Sequence, residues 1–176
     1  MLGGLVVELD NLIVQSLKGY VITTMWQLQM GGPRTPGAQR FGSSDYELAV
    51  ETAKILAATK PGKKPKTPKI PQNPSTIRSP LEIQSVLRFL TGGVPTEFSN
   101  AVALNHTVFG ELKYFRHFYA HRCEDTLSKA VASAPVFATG AFGHPDDFIE
   151  AVHPPAGVPK YLDWWGQLVE FYEVAT

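Results

Sequence analysis

Apolar residues recur along this chain mainly at steps of three and four, the interval that lines one face of a helix. Leu5, Leu9, Leu12, Ile13, Leu17, Tyr20 and Val21 predict an amphipathic helix from about 4 to 29. Gly31-Gly32-Pro33 ends it, because Gly favours the C-terminal turn and Pro cannot continue a helix. A second stripe, Tyr46, Leu48, Ala49, Ala53, Ile55 and Leu56, follows the capping residues Ser43-Ser44-Asp45 and runs to about Thr59. Ser79-Pro80 opens a third helix, with Ser as the cap and Pro in the first turn; Leu81, Ile83, Val86, Leu87 and Leu90 form its buried side. Gly92-Gly93 stops it.

Pro95-Thr96-Glu97 then opens the longest helical segment, in which Ala101, Leu104, Val108, Leu112, Phe115 and Tyr119 follow one stripe towards about Ala132, with or without a break. Residues 134–160 are rich in Pro and Gly and read as loop, with a short helix around Pro145–Glu150. The last helix, from Lys160 to about Glu173, carries Tyr161, Trp164, Leu168, Phe171 and Tyr172 on a wide apolar face. No strand pattern of any length is visible. The expected fold is all-α: an up-down bundle of about five helices in one domain spanning residues 1–176.

One stretch departs from this periodicity. Residues 60–80 hold six Pro, five Lys and one Arg with no acidic residue. That composition excludes a regular helix and predicts a solvated, partly extended linker, with a phosphate-contacting arm as its functional alternative.

Composition narrows the classes of function. The 176 residues carry 16 basic and 16 acidic side chains, a balance unlike that of proteins that coat duplex nucleic acid. A site acting on a few nucleotides does not need an excess of positive charge. The single Cys123 excludes an intrachain disulfide and a thiolate zinc cluster, and is expected to be a buried helix-packing thiol. Glu8, Asp10 and Lys18 interrupt the apolar N-terminal region, and no basic segment precedes it, so neither a membrane span nor a secretory signal is expected. A cytoplasmic location is the resulting expectation. No phosphate-binding glycine loop, nucleophile elbow or Cys-x2-Cys pair occurs, which argues against P-loop enzymes, α/β-hydrolases and zinc ribbons.

Five histidines remain as candidates for chemistry. His144 and His153 lie in Pro/Gly-rich loops and suit surface or turn roles, and His106, on the flank of a helical stripe, suits a core or capping role. His117 and His121 differ, because they cluster with Arg116 and Arg122 and share one face of a continuous helix. An imidazole moves a proton near neutrality, and a guanidinium braces a phosphate and stabilises charge as it develops. Those are the requirements of phosphodiester cleavage.

Arg116-His117-Phe118-Tyr119-Ala120-His121 resembles the R-x4-H motif of the HEPN superfamily, in which a polar residue commonly follows the arginine, as His117 does here. Glu111-Leu112-Lys113-Tyr114-Phe115 resembles the amphipathic lead-in of that family. The resemblance implies a metal-independent endoribonuclease, often a toxin or defence effector, that needs no cofactor and dimerises so that two motifs share a cleft. It implies cleavage through the RNA 2′-hydroxyl, leaving a cyclic phosphate. Arg116 would contact the scissile phosphate, His121 would be the main proton-transfer residue and His117 an auxiliary polar group. RNA, a second copy of the chain and a neutralising antitoxin are the partners this implies. Two residues past His121, where many toxin members carry Tyr, stands Cys123.

Other readings use the same residues. The aromatics of this segment can pack a core while Arg and His are solvated or paired with Glu124 and Asp125. A HEPN-like protein can dimerise or bind nucleotide without cleaving. His117, His121 and Glu124 or Asp125 have a spacing suited to a metal face. An interaction module would use Trp164-Trp165, which cannot both face one core, together with the basic arm.

Overall fold

The computed structural model describes residues 2–29, 55, 62–63, 77–91, 93–133, 143–154 and 156–176. The described residues are mostly helical, as expected. Among the described residues are α1 (Leu2–Gln29), α2 (Pro80–Thr91), α3 (Thr96–Ala103), α4 (Val108–His121), α5 (Glu124–Ser133), α6 (Pro145–Glu150) and α7 (Lys160–Ala175). The helix expected near 43–59 and the linker expected at 60–80 lie largely outside the described residues. No helix among the described residues is long and apolar enough to cross a membrane.

Among the described residues, the segment from 95 to 132 breaks twice, into α3, α4 and α5. Asn105 takes a left-handed backbone with φ 52°, ending the first piece after Leu104 and Asn105 donate backwards to the carbonyls of Ala101 and Val102. Asn tolerates that conformation better than most residues. The second break is at Arg122, φ 46°, whose N–H closes on the Phe118 carbonyl at 2.7 Å. The next helix starts at once: Thr126 Oγ1 accepts from Cys123 N–H at 3.2 Å and donates to the Cys123 carbonyl at 2.9 Å.

A short antiparallel pair between α6 and α7 was not expected from the sequence. Strands β1 (Val152–His153) and β2 (Val158–Pro159) pair Val152 with Pro159 and His153 with Val158. Gly157, at φ +68°, supplies the left-handed residue of the turn, and its N–H reaches the His153 carbonyl at 2.8 Å.

Chain contacts divide the molecule into two compact units, Val14–Ser99 and Met1–Ile13 with Asn100–Thr176. The first buries Leu17, Val21, Ile83, Val86, Leu87 and Phe98, with the Tyr20 and Phe98 rings 4.7 Å apart. Burial, with the charge of Glu97, raises the Tyr20 phenol above its ordinary range.

The second unit carries the motif. Its core is aromatic: Phe115 of α4 stacks on Phe148 of α6 at 4.9 Å and 12°, and meets Trp164 of α7 edge-on at 5.3 Å. All three are at most 1 % exposed. Each such side chain contributes about 1.5–3 kcal/mol on removal from water, so this cluster fixes α4 firmly in place. Val6 and Leu9 of α1 are also buried. Gly3 allows α1 to come close to α4, because a Cβ there would meet Tyr119 Cδ1 at 2.8 Å.

Candidate functional site

Helix α4 buries Val108, Leu112, Phe115 and Phe118, and this stripe dictates where its remaining side chains point. With 3.6 residues per turn, positions 117 and 121 stand about 40° apart around the axis, whereas 116 and 121 stand about 140° apart. The structure follows that arithmetic. His117 and His121 are both exposed, with ring centroids 4.6 Å apart and planes at 65°. They form a pair on the outer face of the last turn of α4.

Arg116 lies towards the inner side. Its Nε is 3.5 Å from Asp10 Oδ2, and the two side chains are 35 % and 2 % exposed. The Nε atom makes no hydrogen bond, so this is an ion-pair contact and not a directed bond. The structure therefore brings the two histidines together and sets Arg116 against α1. Neither Glu124 nor Asp125 is its partner; Asp125 instead pairs with Lys129 at 2.6 Å.

Beyond His121 the corner of the α4–α5 hairpin gathers further polar groups. Tyr119 donates to Asp146 of α6. Burial first, then this bond and the charges of Asp146 and Glu150, push the Tyr119 phenol well up, opposed by Arg122. His144 caps α6, its Nδ1 accepting from Asp146 N–H at 3.2 Å, which is the turn role expected of it. Its ring also lies 5.5 Å from that of Phe118. Cys123 is exposed and not buried as expected, because the chain turns outward at Arg122. Hydrogen bonding with Thr126 lowers its thiol below the ordinary range.

Sequence reasoning missed a second constellation, which proves structural. Lys160, 6 % exposed, places Nζ 3.0 Å from Glu111 Oε2 and 3.0 Å from Asp163 Oδ2. Trp164 Nε1 donates to the same Glu111 oxygen at 2.8 Å, and Gln167 Nε2 donates to Asp163 at 3.0 Å. Gln167 Oε1 in turn accepts from Val108 N–H at 3.0 Å, satisfying the start of α4. Burial alone raises the Asp163 carboxyl, but the bonds from Lys160 and Gln167, with the electrostatic pull of Lys160 and His153, outweigh it and hold the group below its ordinary range. The signal in the sequence was the spacing of Lys160, Asp163 and Gln167, which share a helix side with Trp164. These groups saturate one another and anchor α7 to α4.

Two other histidines are accounted for. His106 approaches Glu170 at 3.4 Å and is 10 % exposed, in keeping with a core position. His153 stands at the β1–β2 turn, in keeping with the turn role expected of it, but it is buried and not on the surface: its ring packs on Phe148 at 4.8 Å, with Nε2 3.0 Å from the Phe148 carbonyl. Adjacent Trp164 and Trp165 divide as the helix period requires, the first 0 % and the second 50 % exposed. Trp165 borders an open groove of about 390 Å³ lined also by Leu12, Val169 and Tyr172.

Among the described residues no group of three or more His, Cys, Asp or Glu side chains is placed to hold a metal ion, so the metal face suggested by His117, His121 and Glu124 or Asp125 does not assemble. No family model matches the chain, and no curated protein or solved structure matches it.

Proposed function

We propose that this protein is a metal-independent endoribonuclease of HEPN type, acting as a symmetric dimer in the cytoplasm as a toxin or defence effector under the control of a neutralising partner. The reading rests on one observation above all: His117 and His121 stand side by side, exposed, at the end of a helix whose aromatic core holds it rigidly. Two adjacent imidazoles supply a proton acceptor and a proton donor in one place. His121, nearest the corner, is the main proton-transfer residue, and His117 assists it.

The reaction needs only the RNA and these side chains. The 2′-hydroxyl loses its proton to an imidazole and attacks the adjacent phosphorus. The bond from phosphorus to the 5′-oxygen breaks, and the leaving oxygen takes a proton. The products are a 2′,3′-cyclic phosphate and a 5′-hydroxyl. Arg116 engages Asp10 through Nε; in this reading the terminal amino groups of its planar fork carry the phosphate contact. A second copy brings its own motif to the same cleft, which supplies the enclosure a pair on an exposed face lacks.

A second reading is a non-catalytic HEPN-like module that binds nucleotide or protein. The Arg116–Asp10 pair favours it, because it gives the arginine a structural use, as does half-exposed Trp165 beside an apolar groove. Incubating tRNA and mRNA with the protein in EDTA separates the two readings. Cleavage by the wild type, lost in His121→Ala, supports the nuclease; intact RNA with a folded wild type favours the module.

A further inference from the structure

The same histidine pair has a second chemical capacity, which does not depend on RNA. Two imidazoles at positions i and i+4 of a helix are one turn apart on one face, the disposition from which helical His pairs chelate zinc. Here the separation is realised in space, with ring centroids 4.6 Å apart and both rings exposed. We infer that His117 and His121 together form a two-imidazole site for a divalent transition-metal ion of the zinc–copper class.

The surroundings select that class. Imidazole nitrogen suits zinc, copper and nickel, whereas magnesium and calcium require oxygen ligands. No carboxylate or thiolate joins the two rings in a group of three among the described residues. With two protein ligands the remaining coordination positions belong to water, so the ion exchanges readily, unlike one in a closed four-ligand structural site.

Occupation of this site has a consequence that rests on the nuclease reading. A nitrogen lone pair given to the metal can no longer accept a proton, so the bound ion silences the enzyme and chelation restores it.

Calorimetric titration with Zn²⁺ of the wild type, His117→Ala, His121→Ala and His144→Ala tests the site. One ion per chain is expected, with affinity falling in either of the first two variants by at least the roughly 10–100-fold that even an outer-shell partner is worth. His144→Ala and a Mg²⁺ titration are the controls: affinity is retained in the first and heat is absent from the second. Equal Zn²⁺ affinity in all four proteins, or no Zn²⁺ binding by the folded wild type, overturns the proposal. The activity arm compares RNA cleavage in Zn²⁺ and in EDTA. Full cleavage at saturating Zn²⁺ overturns the silencing. Zn²⁺ binding without cleavage even in EDTA sinks the nuclease reading and leaves the metal site standing.

Discussion

Arg116 of α4 faces Asp10 of α1, with Nε 3.5 Å from a carboxylate that is 2 % exposed. One arginine thus serves both the packing of two helices and, on the proposed function, the binding of phosphate. The two uses separate by substitution. Arg116→Ala leaves a buried carboxylate without this partner, and a loss of about 1–3 kcal/mol in denaturant unfolding is expected, the arginine's partial exposure keeping it below the cost of a fully buried pair. Asp10→Asn removes the charge to which Arg116 pairs and, on the proposed function, keeps the phosphate contact of Arg116. Cleavage assayed where both variants are folded should be lost in Arg116→Ala and retained in Asp10→Asn. Equal activity in the two proteins would reduce Arg116 to a packing residue.

Gly3 lies where a methyl group would enter the Tyr119 ring, and Tyr119 is itself held by Asp146. The ring cannot simply swing aside. Gly3→Ala should therefore cost about 1–3 kcal/mol, the range for overpacking a close contact, despite the better helix propensity of Ala. Adding Tyr119→Ala should make the double variant less destabilised than the sum of the two single changes. Thermal melts of the four proteins give the coupling directly.

Two groups predict opposite limbs of the pH profile. Asp163 is depressed in the folded state, so the native chain binds fewer protons there than the unfolded chain. Its stabilisation is present above the ordinary carboxylate range and is lost as pH falls below about 4. Tyr119 is raised, so its contribution is present below about pH 10, the ordinary phenol value, and is lost as pH rises beyond it. Asp163→Asn should flatten the acid limb alone and Tyr119→Phe the alkaline limb alone, read as unfolding midpoints against pH.

Removing the proton-transfer residue should be the severest change in activity. His121→Ala is expected to lower single-turnover RNA cleavage by about 10²–10⁴-fold, the usual worth of a general acid or base. His117→Ala should lose less, since it assists. Both side chains are exposed, so circular dichroism and melting point should be unchanged in each. A larger loss for His117→Ala would exchange the two roles.

Much of this was legible in the sequence because helix periodicity is a strong signal over α1, α2, α4 and α7. The same arithmetic fixed which residues could meet: 117 with 121, and Trp164 apart from Trp165. The breaks were less legible. Asn105 gave a hint, since Asn accepts a positive φ, but Arg122 has no intrinsic preference for that region and is held there by the helix end on one side and the Thr126 cap on the other. That single torsion turned Cys123 from a buried thiol into an exposed one. The Arg116–Asp10 and Lys160–Glu111 pairs were invisible because their partners lie far apart in the chain, and no local pattern reports which charged residue will be buried.

The turn at Arg122 also bears on kinetics. It closes α4 just after His121 and leaves both His117 and His121 exposed at the end of that helix. On the proposed function, the cleft around them is completed by a second copy of the chain. At protein concentrations below the dissociation constant of the dimer, initial cleavage rates should therefore rise with the square of enzyme concentration, and an inactive His121→Ala subunit added in excess should poison the wild type.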